Sequence, residues 1–217
     1  MSFPDRIAIA SRNPHKLREI RRICVDWPVT WLTVDDHEGP WPEVEETGET
    51  YLDNARLKAR AAAAGLGETA LADDSGIEVD ALGGRPGPRS ARFAGETATD
   101  RENLEELIRS LKGVPASGRT ARYRCVAVLV FPDGRELAAD GTCEGTLEPR
   151  PRGTRGFGYD PIFVPAGWEP TMAELSDDDK DRISHRGRAL RALRAQIDTG
   201  QERRATDPGA PGVPNSR

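Results

Sequence analysis

The spacing of apolar residues along the chain predicts alternating strands and helices. Residues 7–10 form a short apolar run that fits a buried strand, and apolar positions at helical spacing follow over residues 17–23. Small and apolar side chains fall on one helical face of residues 50–64, and residues 69–72 again fit a short buried strand. The first third of the chain therefore alternates between strand and helix.

The second half of the chain adds a predicted helix and a predicted β-hairpin. Thr99 stands three residues before Glu102, a spacing that indicates the start of a helix. Residues 123–131 have the strongest strand pattern in the chain, and Pro132-Asp133-Gly134 favours a turn, because proline presets φ and glycine permits a positive φ. Residues 136–147 would form the returning strand, so we expect a sheet that is not purely parallel.

The end of the chain divides into a predicted helix and a predicted tail. Thr171 and Glu174 have the spacing of a second capping box, and an amphipathic helix is predicted over residues 184–197. Residues 199–217 are rich in Gly, Pro, Arg and Asp without periodicity, which predicts a disordered tail. We therefore expect one domain over residues 1–198.

Composition limits the classes of protein to which the chain can belong. Hydrophobic residues make up 36% and charged residues 31% of the 217 positions, which fits a packed core under a polar surface. The net charge of −5 gives no overall attraction for nucleic acid, and no apolar run approaches the ~18 residues of a membrane span. No secretory signal pattern is present, and three cysteines without CxxC spacing fit a reducing compartment. We therefore expect a cytoplasmic protein without a membrane or nucleic-acid partner.

A candidate phosphate-binding segment lies between the first strand and the first helix. The N–H groups and the dipole at a helix N-terminus favour an anion, and Lys16 adds a full positive charge. The alternative interpretation is an ordinary capping loop with a solvated lysine. The segment reads Ser11-Arg12-Asn13-Pro14-His15-Lys16.

Two acidic segments are candidates for binding a divalent cation. Asp73 and Asp74 directly follow the predicted strand, where a bound cation would relieve the repulsion between neighbouring carboxylates. Glu45 and Glu46 lie in an acidic loop, and Mg²⁺ needs only one or two carboxylates when substrate phosphates supply further oxygens. A polar turn and a solvated acidic loop are the alternative interpretations.

The remaining candidates suit phosphate or a flat ring. Lys58 could bind phosphate, although most lysines on helices are only solvated. The segment Gly156-Phe157-Gly158-Tyr159-Asp160-Pro161 places two glycines beside two aromatic rings, so its backbone could approach a flat ligand; a hinge loop anchored by its aromatics is the alternative. A second basic group stands near the last predicted helix and consists of Lys180, His185 and Arg186.

Taken together and in order, these segments resemble the inosine triphosphate pyrophosphatase family, also called XTP/dITP diphosphatases, from Ile7 to about Leu193. Each segment alone is a weak signal, but five segments in the same order as in the family do not arise by chance. Tyr51, Asp53 and Arg89 depart from residues common in the family, which concerns only loop packing. The matching blocks are Ser11-Arg12-Asn13-Pro14-His15-Lys16 with Glu19, residues 45–59, residues 72–76 with 84–95, residues 156–163, and residues 171–175 with Lys180 and 184–187.

The resemblance implies a role for each candidate residue. Asp74 would bind Mg²⁺ and act as the general base, and Glu45 would be a further metal ligand, with Glu46 as the alternative. Ser75 would contact the substrate beside Asp74. The residues implied to hold the triphosphate are Ser11, Arg12, Asn13, Pro14, His15, Lys16 and Lys58; those implied to bracket the base are Phe157, Gly158, Tyr159 and Asp160; those implied to recognise its edge are Lys180, His185 and Arg186.

The activity implied by the resemblance is hydrolysis of non-standard purine nucleoside triphosphates (ITP, dITP and XTP) to the monophosphate and pyrophosphate, which removes them from the nucleotide pool. A metal-bound water would attack the α-phosphorus with Asp74 as base, since the three histidines offer no evident nucleophile–base pair. Donors from Lys180 and Arg186 would favour a 6-oxo group over the 6-amino group of adenine. The implied fold is α/β, with a long mixed sheet flanked by helices and a nucleotide cleft between two lobes, and the implied assembly is a homodimer.

Three other functions stay open at this point. One is a pyrophosphatase for modified pyrimidine or 7-methylguanosine triphosphates, as in a structurally similar septum-associated family. The second is a nucleotide sensor without turnover, against which the Asp73-Asp74 pair and Glu45 argue. The third is a nucleic-acid-binding module, which the net charge of −5 disfavours.

Overall fold

The computed structural model of the protein describes residues 3–42 and 44–205, with side chains described as far as residue 199. Six strands form one sheet: β1 (Arg6–Ile9), β2 (Thr30–Leu32), β3 (Thr69–Val79), β4 (Thr120–Val130), β5 (Glu136–Leu147) and β6 (Phe163–Pro165). Their order across the sheet is β2-β1-β3-β4-β5-β6. β1 lies parallel to β2 and β3, and the remaining neighbours are antiparallel, so the predicted mixed sheet is confirmed.

Helices cover both faces of this sheet. They are α1 (Pro14–Ile23), α2 (Tyr51–Leu66), α3 (Asp100–Ser110), α4 (Asp177–Ile183) and α5 (His185–Ala205). α2 packs on β3 and β4, and α5 packs on β4 and β5 from the opposite side. No helix in the described part of the chain is both long enough and apolar enough to span a membrane.

Alternation along the strands builds a separate core on each face. Ile7 and Ile9 of β1 pack with α1 and α5, whereas Ala8, between them, packs with α2. The α2 side is built mainly from alanines, which let the helix approach the sheet closely. A third apolar cluster, around Ile77 and Phe163, joins the far halves of the long strands to α3.

Most predicted elements are confirmed. The hairpin forms with its register running from Thr120 opposite Thr146 to Val130 opposite Glu136. Thr99 caps α3, and the side chain of Glu102 closes the predicted capping box. The strand, tight loop and helix at the start of the chain appear as β1, residues 10–13 and α1.

The prediction that residues 73–76 interrupt a strand is wrong. β3 continues through Asp73-Asp74-Ser75-Gly76 to Val79, and residues 70–79 pair with β4 without a break. Polarity suggested a turn, but the ladder to β4 satisfies the backbone of these residues and keeps them extended. The acidic pair therefore lies within a central strand instead of following it.

Two predictions near the end of the chain need correction. Thr171 and Glu174 make the expected hydrogen bonds, with Thr171 N 2.8 Å from Glu174 Oε2, but they close a turn, and the next helix starts at Asp177 behind Ser176. α5 extends to Ala205, so residues 199–205 of the predicted tail are helical. The rest of that tail, residues 206–217, lies outside the described residues.

Candidate active site

A cleft of about 450 Å³ brings together residues from all of the blocks singled out in the sequence. The predicted site residues that line it are Ser11, Arg12, Asn13, Lys16, Lys58, Asp74, Ser75, Phe157, Gly158, Tyr159, Asp160, Lys180, His185 and Arg186. Pro14, His15 and Glu45 are not among the lining residues. Glu46, the alternative to Glu45, does line the cleft.

At the start of α1, side chains already occupy several backbone donors. Asn13 Oδ1 accepts from the N–H of His15 at 2.9 Å and from that of Lys16 at 3.3 Å, and Ser11 Oγ accepts from Asn13 N. The expected cradle of free N–H groups is therefore largely closed by the cap. Positive charge at this end of the cleft comes from the helix dipole and from Lys16 Nζ, which lies 3.2 Å from Asp73 Oδ2.

The two neighbouring aspartates of β3 point in opposite directions. Successive side chains of a strand alternate between the faces of a sheet. Asp73 accordingly contacts Lys16 and Arg186 on the α1 and α5 side, and Asp74 contacts Asn54 and Lys58 on the α2 side. The expected repulsion between adjacent carboxylates is thus removed by geometry, and each carboxylate has its own surroundings.

Asp74 is a buried carboxylate that lines the cleft. Its Oδ2 accepts from Asn54 Nδ2 at 3.2 Å, and its Oδ1 lies 3.6 Å from Lys58 Nζ. Burial raises the pKa of Asp74, and the positive charge of Lys58 offsets only part of that increase. A carboxylate with a raised pKa is a better proton acceptor than an ordinary aspartate.

Lys58 joins Asp74 to the acidic loop. Lys58 Nζ lies 2.8 Å from Glu46 Oε1, whereas Glu45 is exposed at the outside of the same loop. Burial alone would lower the pKa of Lys58, but Asp74 and Glu46 more than offset this and raise it. Lys58 is therefore a half-buried cation held between two carboxylates and is not a solvated surface lysine.

These oxygens suit a hard divalent cation. Asp74 and Glu46 both lie beside Lys58 Nζ at the cleft, which brings their carboxylates into one region. No group of three or more His, Cys, Asp or Glu side chains within residues 3–42 and 44–199 has the geometry of a complete metal site. Mg²⁺ commonly binds through one or two carboxylates and takes its other oxygens from water and substrate phosphates, so this donor set fits it.

Arg186 is the most deeply buried charge of the site, with 1% of its surface exposed. Its Nη2 donates to Asp73 Oδ2 at 3.0 Å and to Ser75 Oγ at 2.9 Å, its Nε donates to Asp73, and its Nη1 donates to Glu19. At most one of its five N–H donors therefore remains for a ligand. Burial would lower the pKa of Arg186, but Asp73 and Glu19 more than offset this and raise it.

Lys180 continues the same buried charge network. Its Nζ lies 2.5 Å from Asp160 Oδ2 and 2.7 Å from Glu19 Oε1, which leaves one N–H of the ammonium group for a ligand. Burial would raise the pKa of Glu19, but Arg186 and Lys180 together lower it to about 2. Glu19 thus keeps both cations in place from α1.

The glycine-rich segment folds tightly around Asp160. Phe157 N donates to Asp160 Oδ2 at 2.9 Å, and Tyr123 Oη donates to Asp160 Oδ1 at 3.2 Å. Gly156 has φ of +73°, and a Cβ at that position would lie 2.0 Å from Asp160 Oδ2, so only glycine fits. The Phe157 ring stacks on His15 at a centroid distance of 5.0 Å, which links this segment to the start of α1.

Three further residues of the site received no role from the sequence. Asn54 donates a hydrogen bond to Asp74, and Tyr123 donates one to Asp160. Glu19 forms salt bridges with Lys180 and Arg186. Helical spacing was a usable signal for two of them, because Asn54 precedes Lys58 by four residues and Glu19 follows Lys16 by three. No local signal pointed to Tyr123, which reaches the site from a neighbouring strand.

The sequence profile of the Ham1 family matches residues 7–196. The chain belongs to the Ham1 family. A dITP/XTP pyrophosphatase of Geobacter sulfurreducens is 47% identical over 192 residues, which are 88% of this chain and 96% of the relative. Another protein of that name, from Syntrophobacter fumaroxidans, is 49% identical over 88% of this chain and 82% of its own length. The family resemblance inferred from the sequence is confirmed.

Solved structures of Ham1 proteins have the same fold. The Staphylococcus aureus Ham1 protein superimposes with a TM-score of 0.77 at 39% identity, over 90% of this chain and 99% of that one. A Mycobacterium abscessus protein, described as a nucleoside-triphosphatase and dITP/XTP pyrophosphatase, gives a TM-score of 0.70 at 43% identity, over 87% and 98%. The α/β fold with its mixed sheet is therefore shared with this Ham1 family.

Proposed function

We propose that this Ham1 protein hydrolyses ITP, dITP and XTP to the nucleoside monophosphate and pyrophosphate, and so removes non-standard purine nucleotides from the nucleotide pool. The relatives named dITP/XTP pyrophosphatase, at 42–49% identity over most of the chain, support this activity. The observation that carries the proposal is the placement of one buried carboxylate with a raised pKa, that of Asp74, beside Lys58 in a cleft rich in cations.

In the proposed reaction Asp74 is the general base. A water molecule donates a proton to the Asp74 carboxylate as its oxygen forms a bond to the α-phosphorus. The bond between the α-phosphorus and the oxygen bridging to the β-phosphate breaks, and pyrophosphate leaves with that electron pair. A positioned general base typically contributes about 10²–10⁴-fold in rate.

Asp74 and Glu46 are the proposed ligands for Mg²⁺, and Glu46 replaces Glu45 in this role because it faces the cleft. When bound, Mg²⁺ supplies positive charge against the charge that develops on the leaving pyrophosphate. In the free protein Lys58 bridges the two carboxylates, and its positive charge at the cleft would also attract the phosphates of the substrate.

The phosphate end of the cleft is proposed to begin at α1. The positive charge of Lys16 and the positive end of the α1 dipole would attract the triphosphate. Ser11, Arg12 and Asn13 line the same wall of the cleft. His15 and Pro14 act from outside the lining, His15 through its stacking on Phe157. Ser75 lies between the two ends and is oriented by Arg186.

The base is proposed to bind at the other end, between Phe157 and the donors of the last helices. Gly158, Tyr159 and Asp160 shape this wall, and Asp160 already accepts bonds from within the protein. The remaining N–H of Lys180, together with His185 and Arg186, would donate to the 6-oxo group and N7 of the base. Adenine places an amino group at position 6 and would leave buried donors unpaired, which costs about 1–3 kcal/mol each.

The remaining parts of the proposal concern the whole molecule. We place the activity in a single domain, predicted over residues 1–198 and continued by α5 to Ala205, that works in the cytoplasm as a homodimer, without a membrane or nucleic-acid partner. The family resemblance supports the homodimer, and the net charge of −5 supports the absence of a nucleic-acid partner.

The test is pyrophosphate release from ITP, XTP, ATP and GTP in parallel, with and without Mg²⁺. Strong metal-dependent release from ITP and XTP with little from ATP is the expected result; guanine shares the 6-oxo group and N7, so GTP has to be rejected separately, through its 2-amino group. Equal release from all four would retain the chemistry and reject the base-recognising role of Lys180, His185 and Arg186. Binding of XTP without release would replace the enzyme by a nucleotide sensor.

A further inference from the structure

Two successive turns of α2 hold the same two parts of the site. Lys58 contacts the Glu46 side chain and the Asp74 carboxylate. Asn54, four residues earlier on the same helical face, contacts the backbone of the Glu46 loop at Gly48 and again the Asp74 carboxylate. The acidic loop and the general base are therefore fixed against one helix at two levels.

Both polar atoms of the Asn54 amide take part in this arrangement. Its Nδ2 donates to Asp74 Oδ2 at 3.2 Å, and its Oδ1 accepts from Gly48 N at 2.8 Å. Only 1% of the surface of Asn54 is exposed, and the residue does not line the cleft. Asn54 therefore has no contact with a ligand in the cleft and can act only through its two neighbours.

The acidic loop approaches Asn54 so closely that position 48 requires glycine. A Cβ at Gly48 would lie 2.6 Å from Asp53 Cβ, 2.7 Å from Asn54 Oδ1 and 2.9 Å from Asn54 N. Real Cβ atoms do not come so near to backbone and amide atoms, so any other residue at position 48 would push the loop away from α2. Gly48 and Asn54 therefore form one unit.

We propose that Asn54 is a positioning residue for catalysis. It holds Oδ2 of Asp74, so that Oδ1, which lies 3.6 Å from Lys58 Nζ, is the oxygen that accepts the proton of the attacking water, and it fixes the separation between Asp74 and Glu46 through Gly48. This inference rests on the role of Asp74 in the proposed function. An aspartate at position 54 has the same shape but replaces the donor with a second negative charge, so the hydrogen bond becomes a repulsion.

Asn54→Asp is the variant that tests the proposal, and XTP turnover and binding are the two readouts. The kcat is expected to fall about 10²-fold, because small misplacements of a reacting group cost rates of that order. The dissociation constant of an XTP analogue with a methylene between the α- and β-phosphates is expected to stay within about threefold of the wild-type value, since Asn54 does not touch the cleft. A merely structural role would change both readouts together.

Thr50→Ala is the matched control. Thr50 caps the same end of α2 through Asp53 N at 3.1 Å and contacts neither Asp74 nor Gly48, so its loss weakens the helix end without disturbing the carboxylate. Its kcat is expected to stay within about twofold of wild type. If Thr50→Ala lowers kcat as much as Asn54→Asp does, or if Asn54→Asp keeps wild-type kcat, the proposal is overturned.

Gly48→Ala tests the same unit from the other side, and it also serves if Asn54→Asp does not fold. It is expected to lower kcat by a similar factor, and the double variant is expected to lose no more than the larger single loss, because both changes break one contact. Multiplying losses in the double variant would mean that the two residues act independently, which contradicts the proposal. Failure of the proposed function would instead appear as no pyrophosphate release by the wild-type enzyme.

Discussion

The rings of Tyr123 and His185 stack almost in parallel, with centroids 4.6 Å apart and planes inclined by 6°. The stack buries His185 next to the guanidinium of Arg186. Burial, and secondarily the positive charge of Arg186, lowers the pKa of His185 well below its ordinary value of 6.5. His185 is therefore neutral at pH 7, and one face of its ring is occupied before any base enters the cleft.

The neutral state of His185 predicts a pH dependence of stability. The unfolded chain takes up a proton at His185 near pH 6.5, whereas the folded protein does not until a much lower pH. The contribution is therefore fully present above pH 6.5 and is lost as the pH falls below it, by up to ~1.4 kcal/mol per pH unit. Urea unfolding at pH 7.5, 6.5 and 5.5 measures it.

In His185→Gln this slope is expected to become shallower between pH 6.5 and 5.5, whereas His37→Gln, outside the buried network, should keep it. An unchanged slope in His185→Gln would contradict the prediction.

A second loss of stability comes from Glu19 and falls in a lower pH range. Its folded pKa of about 2 lies below the ordinary 4.5, so its contribution is lost as the pH falls from 4.5 toward 2.

Replacing Asp74 with Asn is expected to remove the proposed proton acceptor and lower kcat by about 10²–10⁴-fold. Asp140→Asn, which changes an exposed carboxylate of β5, should keep the wild-type rate. In the wild type, the acid limb of the kcat/KM profile should lie above pH 3.8, because the pKa of Asp74 is raised. Steady-state pyrophosphate release checks all three, and normal turnover by Asp74→Asn would reject the mechanism.

The two neighbouring glutamates of the acidic loop are expected to differ sharply. Glu46→Gln removes a carboxylate from the cleft and should raise the Mg²⁺ concentration needed for half-maximal activity by about tenfold or more, the usual cost of weakening a metal ligand set. Glu45→Gln changes an exposed side chain and should leave that concentration unchanged. Titrating activity against Mg²⁺ for both variants decides between them, and the reverse order would restore Glu45 as the ligand.

Gly156 and Gly158, both in the glycine-rich segment 156–161, allow the effect of a close contact to be distinguished from the effect of backbone strain alone. Gly156 and Gly158 both have positive φ, +73° and +60°, but a Cβ at Gly156 would meet Asp160 Oδ2, whereas one at Gly158 would meet nothing within 4 Å. Gly158→Ala should cost about 1–2 kcal/mol of folding free energy, as left-handed strain does. Gly156→Ala should cost more and should also raise KM for XTP, because Asp160 must move.

If the two alanine variants have equal stability and equal KM, the contact at Asp160 is not important. Urea unfolding and steady-state kinetics at one pH are sufficient for the comparison.

The order of strands and helices could be predicted because local patterns determine it. The hairpin needed only its apolar run and the Pro132-Asp133-Gly134 turn, and α3 needed only the Thr99 capping box. β3 was cut short in the prediction because its polar residues look like a turn until their partner β4 is known. Strand pairing is a long-range interaction, and one sequence does not display it.

For the site too, local features could be predicted from the sequence and long-range contacts could not. Lys16 and Lys58 could be nominated from charge and helical position, but the separation of Asp73 from Asp74 depends on their belonging to a continuous strand. The buried network of Glu19, Lys180 and Arg186 joins α1, α4 and α5, which are far apart in the sequence. The ion pairs within this network could not be predicted, because the partners of each residue are supplied only by the fold.

The continuous pairing of β3 with β4 has a consequence for how this chain tolerates insertions and deletions. Adding or removing one residue between Ala70 and Asp73 would turn every later side chain of the strand to the opposite face. Asp74 would then face α1 and Arg186, and Asp73 would take its place beside Lys58. A single-residue insertion or deletion along this part of β3 would therefore exchange the surroundings of the two aspartates even if the strand still paired with β4.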